Sequence, residues 1–209
     1  FPARYRLNAT TSVKAGYSRT AQYINQIANT DSPTPTSQWQ LSTEYVKPFR
    51  SHNYSLGIFK NMQENIWETS LEVFYRDIDE LFDYKDFADL TMNDNIETEL
   101  LDGSGIAYGI EASVKKKKGL WHGDLAYTYS RARRQVEDIN RGDWYNSNFD
   151  KPHDLSLVIN YQPNQRHTFT MNFTYSTGRP TTPPFGNYTT ETGAVIPIYA
   201  NRNQIRIPD

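Results

Sequence analysis

Read with a stride of two, the chain separates repeatedly into two faces. In 167–176 one set is His167, Phe169, Met171, Phe173 and Tyr175, and the other is Thr168, Thr170, Asn172, Thr174 and Ser176. Segment 153–161 divides into His153, Leu155, Leu157, Ile159 and Tyr161 against Asp154, Ser156, Val158 and Asn160. Segments 121–130, 106–115 and 67–76 divide the same way, with Leu125 and Tyr127, Ile110 and Val114, and Leu71 and Val73 on their apolar sides. A period of two marks a strand whose faces meet different surroundings. The shorter stretch 54–60 is less clean, because Phe59 falls on the side of Ser55 and Gly57. Val13, Ala15 and Tyr17 continue the pattern upstream, and Arg4 to Leu7 is a further candidate strand. No segment carries a helical period, so the pattern predicts an all-β chain of about eight strands in succession.

The connections alternate in length. Asn61 to Asn65, Lys116 to Gly119 and Gln162 to Arg166 read as tight polar turns, whereas Thr20 to Ser51, Asp77 to Gly105, Arg131 to Pro152 and Thr177 to Asp209 read as long polar loops. Unstructured loops beyond about 15 residues are uncommon in a compact domain, and here every second connection is one. The aromatic residues of the apolar faces also sort by position. Tyr75, Tyr108, Tyr129 and Tyr175 fall toward the long-loop end and Trp67, Trp121 and Tyr161 toward the turn end, with aliphatic residues between. Two aromatic girdles, with short turns beyond one and long loops beyond the other, are the arrangement of an antiparallel β-barrel crossing a membrane.

Composition sharpens this expectation. Only 37% of residues are apolar while 14% are aromatic, and the mean hydropathy is -0.76. No apolar run approaches the roughly 20 residues of a membrane helix, so a chain crossing a bilayer does so as strands. A Lys or Arg at mid-membrane on the lipid face costs about 2–4 kcal/mol. None stands in the middle of the six apolar faces from 54–60 to 167–176. The net charge of -2 lacks the basic excess of a nucleic-acid binder, and the absence of cysteine excludes disulfides, thiolate metal sites and a Cys nucleophile.

Candidate chemistry is sparse. Asp77, Asp79, Glu80, Asp83, Asp86 and Asp89 gather within one expected loop, but without the Gly-punctuated spacing of an EF-hand, and a solvated acidic loop is the expectation. His52, His122, His153 and His167 are too scattered for ligand spacing, so no metal or cofactor is expected. There is no Gly-x-Ser-x-Gly elbow, and Gly103 and Gly105 lack the strand-turn-helix context of a dinucleotide site, which gives enzymatic activity no support. Lys115 to Lys118, at a tight turn, reads as a solvated rim beside anionic lipid headgroups.

Several stretches carry a resemblance: Lys14-Ala15-Gly16-Tyr17-Ser18-Arg19, Trp67-Glu68-Thr69-Ser70-Leu71-Glu72-Val73-Phe74-Tyr75-Arg76, Gly105-Ile106-Ala107-Tyr108-Gly109-Ile110-Glu111, Phe149-Asp150-Lys151-Pro152-His153-Asp154-Leu155 and Arg202-Asn203-Gln204-Ile205-Arg206-Ile207-Pro208-Asp209. In this order they resemble the later part of the β-barrel of TonB-dependent outer-membrane receptors. The resemblance implies that 1–209 is a partial barrel domain, a segment of a roughly 22-stranded plugged barrel, with the plug domain and terminal strands elsewhere. It implies a place in the bacterial outer membrane, with lipid, the rest of the barrel, the plug and the TonB energy-coupling complex as partners. The cargo it implies is a scarce nutrient: an iron chelate, cobalamin, an oligosaccharide or a peptide. Aromatic and polar loop residues are the expected ligand contacts, and Tyr84, Arg134, Trp144, Tyr145 and Tyr188 are the candidates, with ordinary loop packing as the competing role. Two other readings remain: a soluble secreted β-sandwich binding glycans through its aromatic residues, and a passive porin-like barrel.

Overall fold

The structure is a computed structural model and describes residues 2–27, 38–44, 46–86, 88, 93 and 95–207. Eight strands form one antiparallel sheet: β1 (Pro2–Arg6), β2 (Thr11–Gln22), β5 (Phe49–Met62), β6 (Trp67–Tyr84), β7 (Leu100–Lys116), β8 (Trp121–Val136), β10 (His153–Asn164) and β11 (His167–Ser176). They pair in chain order, each with its sequence neighbour within the sheet, and the short β9 (Tyr145–Asn146) adds to β8. Two hairpins stand apart from the sheet, β3 (Ile24–Ile27) with β4 (Gln38–Leu41) and β13 (Pro184–Thr189) with β14 (Val195–Tyr199). A two-residue pairing joins β12 (Pro180–Thr181) to β15 (Ile205–Arg206).

Register assembles the apolar faces into one belt. Leu56 lies opposite Ala15 and Val73, Val73 opposite Ile110, Leu125 opposite Val114 and Leu157, and Leu157 opposite Phe173. These side chains meet no second sheet: Leu56 and Met171 are each 53% exposed. That overturns the β-sandwich reading, which requires the aliphatic faces of two sheets to bury one another. Tyr17, Tyr54, Tyr75 and Tyr108 form a row at the loop end of the belt, and Trp121, Tyr161 and Phe169 stack in sequence at the turn end. Trp67 and Tyr75 are eight residues apart on one strand, about 27 Å of chain. Tilted by about 40°, that spans roughly 20 Å of membrane normal, close to the apolar band of an outer-membrane barrel.

The opposite face is mostly polar, and two of its aromatic residues, Phe74 and Phe59, lie over glycines. An ideal Cβ on Gly109 would stand 2.8 Å from the Phe74 ring, and one on Gly57 would stand 3.0 Å from the Phe59 ring. Each ring thus covers backbone that a side chain would otherwise shield, and Lys14 Nζ lies 3.9 Å from the Phe59 centroid.

The strands run further than their alternation predicts. β6 continues to Tyr84 and β7 begins at Leu100, so about half of the expected 77–105 loop is paired wall, and the Asp77, Asp79 and Asp83 carboxylates sit on a strand. A bulge between Ile78 and Leu81, with Glu80 at φ 58°, shifts the register on the way. The turns are short, as expected, and Asn side chains close two of them: Asn8 Oδ1 accepts from the N–H of Thr10 and Thr11, and Asn164 Oδ1 from those of Arg166 and His167.

Candidate functional site

The buried apolar residues among those described, Val46, Leu81, Ile96, Val136, Ile139 and Tyr145, all lie beyond the tyrosine row, at the loop end. Val136, Ile139 and Tyr145 pack together with Leu101 against them. On this small core two carboxylates organise the mouth of the sheet.

The first is Asp83, near the end of β6. Tyr145 Oη donates to its Oδ2 at 2.6 Å and Arg202 Nη1 to its Oδ1 at 3.0 Å, while Arg134 Nη1 lies 3.6 Å from Oδ2. Arg202 also donates to the Tyr84 carbonyl at 2.7 Å and to Asp86 Oδ1 at 2.5 Å. The Tyr145 phenol is pushed well above its ordinary range, first by burial and then by the adjacent Asp83 charge, and so remains a donor. Burial and Asp83 raise the Tyr84 phenol in the same way.

The second is Asp150, whose side chain is fully buried. Its Oδ1 accepts from the Ala132 N–H at 2.6 Å, Arg206 Nη2 bonds its Oδ2, and Arg131 Nε lies 3.5 Å from the same oxygen. Arg206 Nη1 reaches the Asp150 carbonyl at 2.6 Å and that of Gly178 at 2.9 Å. Between the two hubs, the Asn203 amide donates to the Asn146 carbonyl and Asn148 Oδ1, and Asn140 exchanges two hydrogen bonds with the Arg202 backbone. The 201–207 segment is therefore riveted to the loop between β8 and β10.

Of the five candidate contacts, Arg134 and Tyr145 converge on Asp83 through their side chains, and Tyr84 meets it through its backbone N–H, which donates to Asp83 Oδ1 at 2.8 Å. Trp144 (42% exposed) and Tyr188 (53% exposed, on β13) lie outside the cluster and face solvent. The acidic residues do not gather as a loop. Asp79 lies opposite Arg50, Asp77 opposite His52, Glu80 pairs with Lys47 at 3.2 Å, and Asp89 lies outside the described residues. The candidate contacts do not include Asp150, Arg202, Asn203 and Arg206, although these lie in two of the five stretches that carry the family resemblance.

Two of the histidines belong to the girdle, where Tyr17 Oη bonds His52 Nδ1 at 2.9 Å and Tyr127 Oη bonds His153 Nδ1 at 2.8 Å, while His122 and His167 lie at turns against the Gly119 carbonyl and Asn164 Oδ1. At the turn end of the polar face, a pocket of about 430 Å³ is lined by Arg4, Arg6, Lys14, Glu68 and Lys115 among others.

An exposed apolar belt between aromatic girdles, an opposite polar face and an ion-paired mouth agree with the model of the TonB dependent receptor-like β-barrel, which matches residues 2–206. The chain belongs to that family. As a TonB-dependent receptor barrel it resides in the bacterial outer membrane. Similar solved structures include the ferripyoverdine receptor of the outer membrane of Pseudomonas aeruginosa bound to ferripyoverdine, with 17% identity and a TM-score of 0.62 over 95% of this chain. The FpvAI–pyocin S2 complex matches at 16% identity and a TM-score of 0.61, again over 95% of the chain. The chain spans about a quarter of the length of these TonB-dependent receptors, 24% and 25% respectively. No curated protein matches it in sequence.

Proposed function

We propose that this chain forms part of the wall of an energy-coupled receptor that imports a scarce nutrient across the outer membrane. The observation that carries the reading is the division of one sheet into an exposed apolar belt between aromatic girdles and a polar opposite face, with an ion-paired cluster at its long-loop end. A polar face bearing Glu72, Arg76, Glu111 and Asp124 suits a wall facing water or a polar plug rather than a packed core. The Arg4, Arg6 and Lys14 side chains give the plug a cationic surface to rest on. A plug supplied by the rest of the protein would close the lumen and be moved by the TonB complex. The reading makes the protein a transporter rather than an enzyme, with no partner among nucleic acids.

Iron chelates are the first cargo to test, because the matched receptor is described with ferripyoverdine bound. Cobalamin, oligosaccharides and peptides form the remaining panel. Exposed rings on the outer hairpins and rim, Trp39, Trp144, Phe185 and Tyr188, are the surfaces available for first contact. The experiment is uptake of labelled ligands by cells expressing the full-length protein, with and without a protonophore. Accumulation that stops with the protonophore supports the reading. Uptake that is linear in concentration and indifferent to the protonophore makes the protein a passive pore.

A further inference from the structure

At the turn end of the belt, lysines stand among the interfacial rings. Lys116 lies opposite Trp67 in the register, with its Nζ 5.4 Å from the Trp67 ring centroid. An ideal Cβ on Gly119 would stand 3.5 Å from that nitrogen, and at φ 110° this glycine lets the turn fold back beside it. Lys60 lies opposite Thr69 on the same outward face, one pair above Met62 and Trp67, and is exposed. Lys118 is exposed in the turn itself, next to Leu120 and Trp121, which are 51% and 53% exposed.

The neighbouring cations are committed elsewhere. Lys117 pairs with Glu68 at 2.5 Å and donates its backbone N–H to the Ile66 carbonyl, which locks this turn to the preceding one. Lys115, opposite Glu68 and Asp124, lies on the inner face. Among the described residues no carboxylate pairs with Lys60, Lys116 or Lys118. Lys116 against the Trp67 ring, Lys60 on the neighbouring strand and Lys118 in the turn before Trp121 thus bring three cations to the aromatic end of the belt. Lipid acyl chains already cover the belt above, and the short-turn end of such a barrel faces the periplasmic leaflet.

We propose that Lys60, Lys116 and Lys118, with Trp67 and Trp121 beneath them, form a binding site for the phosphodiester of an anionic phospholipid in the periplasmic leaflet. The lysines supply the charge, the indoles hold the glycerol region at the interface, and the belt continues along the acyl chains. The site does not depend on which nutrient the barrel carries.

The test uses full-length folded protein in detergent, incubated with equimolar short-chain phosphatidylglycerol and phosphatidylcholine, with bound lipid counted by native mass spectrometry. Wild type should retain phosphatidylglycerol preferentially. Each of Lys60→Gln, Lys116→Gln and Lys118→Gln should weaken that retention by about fivefold, and Lys116→Arg should preserve it. The inner-face pair Lys14→Gln/Lys115→Gln should leave it unchanged. Gel mobility before and after heating reports whether each variant is folded, and the single variants suffice if a combined one is not. Equal retention of the two lipids by wild type, an equal loss in the inner-face pair, or displacement of phosphatidylglycerol by inorganic phosphate at the same concentration overturns the proposal.

Discussion

Asp150 shows how much one side chain does at the mouth. It is fully buried and meets two guanidiniums and a backbone N–H, so removing its charge strands two arginines at once. Asp150→Asn should loosen the clasp by about 3–5 kcal/mol, the usual cost of breaking a buried pair from one side. Limited proteolysis should then open 137–152 and 201–207 while the wall keeps its heat resistance. Tyr145 gives a pH test. Its ordinary phenol value is 10.0, and the fold holds it higher by keeping it protonated. Its contribution is therefore complete below about pH 10 and lost as the pH climbs from there toward the folded value. Phenolate absorbance should show two tyrosines, Tyr84 and Tyr145, ionising late in wild type and one fewer in Tyr145→Phe, with about 1 kcal/mol less loop stability for the hydrogen bond removed. Residue chemistry at this site was only half legible in sequence. Aromatic and basic loop residues marked Arg134 and Tyr145. Their common partner, and Arg202 at 119 positions from Asp83, become neighbours only through the strand order.

At the scale of the strand, legibility followed the solvent. Wherever one face meets lipid and the other water, alternation is enforced, and the reading found the core of each strand. Past the tyrosine row the strict contrast between the two faces ends and the alternation lapses, while backbone pairing and the local packing of Leu81 and Val136 carry the strands on. This is why Asp77 to Tyr84 and Leu100 to Gly105 looked like loop, and why the β13–β14 hairpin was not foreseen within the expected 177–209 loop. The same logic gives opposite outcomes at adjacent positions of β11. Met171 faces the belt, whereas Asn172, opposite Val158, lies on the polar side. Met171→Arg should cost about 2–4 kcal/mol in refolding of the full-length protein into vesicles, and Asn172→Arg close to nothing. Equal effects would mean that the two faces do not differ in what they touch.

For the molecule as a whole, the sheet ends at β1 on one side and β11 on the other, and neither outer edge has a strand beside it among the described residues. Unpaired N–H and C=O groups are untenable in hydrocarbon, which is the ground for proposing that further strands close the sheet. Expressed by itself, residues 1–209 should give no heat-modifiable folded band in vesicles, whereas the full-length protein should. A folded, inserted product from this stretch alone would mean that eight strands can close as a small barrel.

Among the described residues the well-buried apolar packing stands beyond the tyrosine row, where it ties the rim together independently of the greasy perimeter below. Rim and perimeter thus answer to separate constraints. A crown grafted from another receptor, carrying its own Asp150-like rivet, would find the same pedestal waiting, and new ligand preferences are open to selection without redesign of the part that insertion machinery must recognise.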